Sequence, residues 1–143
     1  MQLSQLNKEF EKIGSDIIGS AFSVRKETGR GLREKYYEAA LAWEISQRGY
    51  HVERQKLLPC LYKGIEVSDA YAPDIIVDNK VIVEVKAISQ MTENESRQLL
   101  TYLKLSGIKL GYLINFGAKD FCIGRFDGSM SYDKGIYRFV NRI

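Results

Sequence analysis

Three ionisable residues lie within two short apolar runs of the segment "YAPDIIVDNKVIVEVKA", residues 71–87. The apolar runs and the polar turn between them predict a β-hairpin that enters a hydrophobic core. Asp74 lies in the first run, and Glu84 and Lys86 lie in the second. Because residues two apart in a strand share a face, the side chains of Glu84 and Lys86 should point the same way.

The length of the loop decides whether the carboxylates of Asp74 and Glu84 meet. A two-residue turn would place them on opposite faces of the sheet. A three-residue loop from Asp78 to Lys80 pairs Asp74 with Glu84 directly, and Asn79 or Lys80 then adopts the left-handed conformation. A β-bulge would give the same register.

Two facing carboxylates repel each other unless a cation lies between them. Mg²⁺ suits such a position because it takes oxygen ligands and keeps several waters. A bound ion could hold a phosphate oxygen and lower the pKa of an attacking water, which Lys86 could orient. The alternative is that Asp74 caps an edge strand while Glu84 and Lys86 face solvent.

A further candidate carboxylate lies in "GLREKYYEAALAWEI", residues 31–45. Tyr37, Leu41 and Ile45 are predicted to form a buried stripe at helical spacing, and the turn before them reaches Glu34. A carboxylate that faces the core needs a partner, so Glu34 is a candidate ligand of the metal or of its water. The alternative is a first-turn glutamate that interacts with the helix N-terminus.

The segment "TENESRQLLTYLKLSG", residues 92–107, predicts another helix, with Thr92 and Glu95 spaced as a capping box. Gln98 and Tyr102 are four residues apart and lie on one side of it. A glutamine amide can orient a carboxylate or contact the scissile phosphate, and a tyrosine can bind the phosphate or stack on a base. The alternative is that both are polar boundary residues of an amphipathic helix.

The rest of the sequence predicts the elements that must position these residues. In addition to the hairpin and the helix just described, the predicted elements are an N-terminal helix that runs to Gly29 and Gly31, a helix over roughly 32–48 that stops at Gly49, strands over 51–58 and 60–67, a buried strand in "KLGYLINFG", and one or two edge strands around a glycine-rich loop in the tail. The order ααββββαβ(β) predicts a mixed α/β sandwich around a central sheet.

Length and composition indicate one globular domain. The chain has 143 residues, of which 45% are hydrophobic and 27% are charged. Cys60 and Cys122 are too few and too far apart for a zinc site or a disulfide framework, which fits reduced thiols in the cytoplasm. His51 is the only histidine, which excludes a His-rich metal site. We expect no signal peptide, no membrane span and a cytoplasmic location.

The basic residues are distributed unevenly. The net charge of +3 permits a nucleic-acid partner without requiring one. One short stretch nevertheless carries five cations against two glutamates, and it is the predicted nucleic-acid contact surface. These cations are Arg25, Lys26, Arg30, Arg33 and Lys35.

Taken together, the motifs resemble those of the PD-(D/E)xK nucleases, the restriction-endonuclease-like superfamily. "PD" at 73–74 followed by "EVK" at 84–86 is similar to the signature of that superfamily. Gln98 and Tyr102 resemble the QxxxY motif of its recombination-exonuclease branch. "GLREKYY" at 31–37 resembles the motif that names the GxxExxY proteins, a small bacterial family placed in the same superfamily.

The resemblance covers roughly residues 15–117 and the last strand, and it implies a restriction-endonuclease-like core with a mixed central sheet flanked by helices. It also implies Mg²⁺, with Mn²⁺ as a substitute, held by Asp74, Glu84 and the Val85 carbonyl. Glu34 would be the first-helix carboxylate and Lys86 the catalytic lysine. The implied supporting residues are Tyr37, Gln98 and Tyr102.

Three functions follow as hypotheses. The first is a Mg²⁺-dependent nuclease that hydrolyses phosphodiester bonds of DNA or RNA by metal-activated water. The second is a nucleic-acid-binding domain that keeps the fold without useful turnover, and the third is a structural or interaction protein whose charges form internal ion pairs. A nuclease of this size that cuts both strands would most simply act as a homodimer.

Overall fold

The computed structural model of the chain describes residues 3–68, 71–125 and 132–141. Its helices are α1 (Leu3–Thr28), α2 (Glu34–Gln47) and α3 (Glu93–Ser106). Its strands are β1 (Val52–Arg54), β2 (Cys60–Tyr62), β3 (Ile65–Ser68), β4 (Ile75–Val77), β5 (Val81–Lys86), β6 (Leu110–Asn115), β7 (Asp120–Ile123) and β8 (Lys134–Val140). Within these ranges, no helix is long and apolar enough to cross a membrane.

Six strands form one mixed sheet in the order β1-β4-β5-β6-β8-β7. Strands β4 and β5 form an antiparallel hairpin, whereas β5 and β6 are parallel. The parallel pair needs a crossover connection, which α3 supplies. The sheet and its flanking helices confirm the predicted α/β fold of restriction-endonuclease-like type.

The two faces of the sheet carry separate hydrophobic cores. One core packs under α1 and α2, and it takes Val81, Val83 and Val85 from β5. The other packs under α3 and takes Ile82 from the same strand. Because β5 is buried on both faces, its sequence is nearly all apolar. The side chain of Glu84 therefore follows Ile82 on the face that α3 covers.

The single strand predicted over 60–67 is wrong. Strands β2 and β3 form a separate two-stranded hairpin instead. Its turn contains Lys63 and Gly64, whose φ angles are 50° and 80°. Tight hairpin turns require this left-handed pair, and Gly64 adopts it without strain. The strand predicted over 51–58 is also shorter, since Gln55 has a φ of 53° directly after β1.

The tail contains one edge strand and one interior strand. Strand β7 lies at the edge as predicted, but β8 lies between β6 and β7. The prediction of an edge position for β8 is wrong because it pairs antiparallel with β6 on one side and parallel with β7 on the other. The glycine-rich loop predicted in the tail falls on residues 126–131, outside the described residues.

Candidate functional site: a pair of facing carboxylates

The β4–β5 hairpin has the register that brings its two carboxylates together. Ile75 pairs with Val83 and Val77 pairs with Val81, so the loop has three residues. Asp74, directly before β4, therefore comes opposite Glu84. Of the alternatives that the sequence left open, the structure has the three-residue loop.

The conformation of the loop differs in part from the prediction. Asn79 is left-handed as expected, with a φ of 55°, but Asp78 shares this conformation, with a φ of 51°. Lys80 does not. Asp78 tolerates the left-handed region because a short polar side chain can form local hydrogen bonds there, and its Oδ1 accepts from the His51 N–H at 2.8 Å.

Each of the two carboxylates accepts a hydrogen bond from the backbone of the opposite strand of the hairpin. The Asp74 N–H donates to Glu84 Oε1 at 2.7 Å, and the Val85 N–H donates to Asp74 Oδ2 at 2.8 Å. These reciprocal bonds place both carboxylates on one side of the hairpin. Only 9% of Asp74 and 2% of Glu84 is exposed to solvent. The alternative in which Glu84 faces solvent is therefore wrong.

Burial disfavours the charged form of both carboxylates. It raises the pKa of Glu84 to about 8, and the charge of Asp74 adds to the shift. Burial also raises the pKa of Asp74 to about 6, although the hydrogen bond from Val85 opposes this. Burial and mutual repulsion therefore both favour protonation of the pair when no cation lies between the two carboxylates.

A hydrogen-bonded chain connects Lys86 to α3. Lys86 Nζ donates to Gln98 Oε1 at 2.9 Å, and Gln98 Nε2 donates to the Tyr102 hydroxyl at 3.1 Å. Burial raises the pKa of Tyr102 to about 12, and the charges of Glu84 and Asp74 add to the shift. The structure thus brings the predicted residues of α3 to the carboxylate pair.

The capping box explains where α3 begins. The Thr92 side chain accepts from the Asn94 N–H at 3.2 Å, and Glu95 accepts from the Thr92 N–H at 2.8 Å. These bonds satisfy N–H groups that have no partner inside the helix. The predicted capping box and the end of the helix at Gly107 are both confirmed.

Two glutamates of α2 act on the same site. Glu34 is the first residue of α2, and its charge raises the pKa of both Asp74 and Glu84. Glu38, one turn later, is only 1% exposed, and its charge also raises the pKa of Asp74. The sequence prediction missed Glu38, although it lies at helical spacing with Glu34 and Leu41.

Tyr37 holds the loop between α1 and α2 in place. It is fully buried and stacks on Phe116 with ring centroids 4.6 Å apart. Its hydroxyl donates to the Gly29 carbonyl at 2.7 Å and accepts from the Leu32 N–H at 3.2 Å. Tyr37 therefore fixes the loop between α1 and α2, which carries Arg30.

The five predicted basic residues lie in different settings. Arg25 lies over the Phe121 ring, 4.9 Å from its centroid. Arg30 Nε donates to the Gly117 carbonyl at 3.1 Å. Lys35 Nζ lies 3.6 Å from a carboxylate oxygen of Glu38. The remaining two, Lys26 and Arg33, are exposed.

The oxygen donors at this site fit a hard divalent cation. Among the residues that the structure describes, no group of three or more His, Cys, Asp or Glu side chains could hold a metal ion. Mg²⁺ is usually bound through one or two carboxylates and several waters, so a pair of carboxylates with a nearby backbone carbonyl is a sufficient donor set. A divalent cation would also offset the repulsion between Asp74 and Glu84.

Comparison with known proteins gives one match. The family model described as the PD-(D/E)XK nuclease superfamily matches residues 11–125, which include the carboxylate pair and all three helices in whole or in part. Searches of curated proteins and of solved structures give no significant match. On the match to most of its length, the chain belongs to the PD-(D/E)XK nuclease superfamily.

Proposed function

We propose that the protein is a metal-dependent nuclease that hydrolyses phosphodiester bonds. The observation that carries the proposal is the reciprocal pair of hydrogen bonds between Asp74 and the Glu84–Val85 segment. It holds two buried carboxylates face to face, an arrangement that is unfavourable without a cation. Membership of the nuclease superfamily supports the same conclusion.

Asp74, Glu84 and the Val85 carbonyl would hold Mg²⁺, or Mn²⁺ in its place. Glu34 would act through a metal-bound water, because no third carboxylate among the described residues lies where it could bind the same ion directly. When bound, such an ion lowers the pKa of a water and binds a phosphate oxygen. The residues of the chain hold the donors in fixed positions: the Asp74 N–H binds Glu84, and the Val85 N–H binds Asp74.

Lys86 is proposed as the catalytic lysine. Its ammonium group would orient the attacking water or offset negative charge at the phosphate. Gln98 fixes the position of this ammonium group through the 2.9 Å hydrogen bond, and Tyr102 fixes Gln98 in turn. Both α3 residues are therefore proposed as positioning residues, with Tyr102 also available to a phosphate or a base.

The proposed substrate is nucleic acid, most simply DNA, because five cations lie at the end of α1 and the start of α2. Four of them are exposed, and Lys26 and Arg33 are proposed as the phosphate contacts because Arg30 and Lys35 interact with Gly117 and Glu38. The "GLREKYY" motif supports a place among the GxxExxY proteins of the superfamily. We also propose that the protein is cytoplasmic and that it acts as a homodimer that cuts both strands.

Cleavage of labelled single- and double-stranded DNA and RNA, with Mg²⁺, Mn²⁺ or EDTA, tests the proposal. We expect metal-dependent cleavage that Lys86→Ala reduces by ~10²-fold or more, as loss of an electrostatic group at the reacting centre does. Lys104→Ala is the matched control, because Lys104 is an exposed lysine in the last turn of α3. It should cleave like the wild type.

Two outcomes would contradict the proposal. Cleavage that persists in EDTA and in Lys86→Ala would show that another site or a contaminant performs it. Salt-sensitive binding of nucleic acid without cleavage under any metal condition would favour the binding domain instead.

A further inference from the structure

We propose that Gln55, anchored by Glu38, is a positioning residue that fixes the carboxylate of Asp74 for its ligand. The inference rests on the proposed function, because the ligand of Asp74 is the metal of that site. Neither residue belongs to the motifs from which the site was predicted.

Glu38 is the anchor that holds the Gln55 side chain. Glu38 has only 1% of its surface exposed, so its charge needs partners. Arg54 donates to Glu38 Oε2 through Nε at 3.1 Å, and its Nη2 lies 3.0 Å from the same oxygen. Gln55 Nε2 donates to the other oxygen, Oε1, at 3.0 Å. Glu38 is thereby held on both sides and is a fixed point on α2.

The Gln55 side-chain amide connects Glu38 to Asp74. Its Nε2 also donates to Asp74 Oδ1 at 3.0 Å, so its two protons serve two carboxylates. The backbone N–H of Gln55 donates to the Asp74 carbonyl at 3.1 Å. One residue thus binds both the backbone and the side chain of Asp74, and it places a neutral donor between two negative groups.

The backbone of Gln55 has an unusual conformation. Its φ of 53° lies in the left-handed region, which is uncommon for a residue other than glycine. Glycine would adopt this conformation without strain, but it has no side chain to bridge the two carboxylates. Strain of this kind clusters at functional sites, where the surrounding structure maintains it.

Together these contacts fix the orientation of Asp74. Val85 binds its Oδ2 from one side, and Gln55 binds its Oδ1 from the other. Each carboxylate oxygen has two lone pairs, so each keeps one for a metal or a water. A ligand carboxylate that is hydrogen-bonded in this way presents its free lone pairs in a fixed direction.

The first test compares Gln55→Met with Lys63→Met. Methionine keeps the length of Gln55 but cannot donate, and Lys63 is a second non-glycine residue with positive φ, at the exposed turn of the β2–β3 hairpin. Calorimetry with Mn²⁺ alone should show affinity about 10-fold or more weaker in Gln55→Met. Lys63→Met should bind Mn²⁺ like the wild type.

In cleavage assays at saturating nucleic acid, kcat should fall in Gln55→Met while KM stays near the wild-type value. Unchanged Mn²⁺ affinity in a folded Gln55→Met would overturn the inference. So would a rise in KM alone, because that would assign Gln55 to substrate binding.

A second variant tests whether Gln55 positions Asp74 or only links α2 to the end of β1. The double exchange Glu38→Gln with Gln55→Glu rebuilds a hydrogen bond between the two side chains but leaves Oδ1 of Asp74 without its donor. We expect the exchange to recover melting temperature lost in Gln55→Glu while Mn²⁺ affinity stays weak. Recovery of wild-type Mn²⁺ affinity would overturn the inference.

A crystal structure of metal-free Gln55→Met makes the test independent of activity. Asp74 Oδ1 should move by more than ~0.5 Å, the tolerance of a functional constellation. An unmoved Asp74 would overturn the inference. If the wild type neither binds Mn²⁺ nor cleaves, the proposed function fails, and the crystal structure alone decides whether Gln55 positions Asp74.

Discussion

The pH dependence of stability should change when Glu84 becomes glutamine. Its pKa is raised from 4.5 to about 8 in the folded chain. A group with a raised folded-state pKa stabilises the protein fully below its unfolded pKa and loses that contribution as pH rises through the folded value. The metal-free wild type should therefore lose stability as pH rises from 4.5 to about 8.

The size of the effect follows from the shift. One pKa unit corresponds to about 1.4 kcal/mol. Because Glu84 ionises more readily in the unfolded chain than in the folded one, the free energy of unfolding should fall by ~3 kcal/mol at pH 7 and ~5 kcal/mol at pH 9. Glutamine carries no charge, and its Oε1 can still accept from the Asp74 N–H. Glu84→Gln should therefore match the wild type near pH 5 and exceed it increasingly above pH 6.

Urea unfolding in EDTA at pH 5, 7 and 9 measures this difference. Glu66→Gln is the matched control, because Glu66 lies exposed on β3 and should change stability by less than ~0.5 kcal/mol at each pH. With excess Mg²⁺ at pH 8, the wild type should gain stability and Glu84→Gln should gain little. A stability difference that stays constant from pH 5 to 9 would refute the reasoning.

Asp74→Asn should be less stabilising than Glu84→Gln, although it also removes a charge. Asparagine has one side-chain oxygen, which can accept from either Val85 or Gln55. The NH2 group of the asparagine then faces the other donor. One unsatisfied contact of this kind costs about 1–3 kcal/mol, which offsets the relief of repulsion. Equal stabilisation by both variants in the same urea series would contradict the hydrogen-bond pattern around Asp74.

Two further predictions concern the surface and the core. Replacing both Lys26 and Arg33 with alanine should weaken the salt dependence of duplex binding. The slope of log K, the binding constant, against log[salt] should fall by ~1.8, since each phosphate contact contributes about 0.9. An unchanged slope would place the phosphate contacts elsewhere. Gly14→Ala should destabilise the fold by ~1–3 kcal/mol, because a Cβ there would overlap the hydroxyl of buried Tyr112. Gly19→Ala is the control in thermal melts, because a Cβ at Gly19 would contact only the partly exposed end of the Arg48 side chain. Equal melting temperatures for the two variants would contradict the close packing at Gly14.

The chemistry available to the protein and most of its local structure follow from residues that are close together in the chain. Alternating residues on β5 required Glu84 and Lys86 to share a face, and the three residues after Val77 fitted a loop that brings Asp74 opposite Glu84. The capping box and Gly107 marked both ends of α3. These features depend on residues close together in the chain, so their spacing is visible in the sequence.

Only the tertiary structure decided how distant segments meet. The position of β8 between β6 and β7 depends on strand pairing that no local pattern specifies. The contact of Gln55 with Asp74 and Glu38 joins β1, the start of β4 and α2, and its 17- and 19-residue separations give no periodic signal. Such contacts form because strand pairing and helix packing bring the elements together, and burial then makes each of their hydrogen bonds necessary.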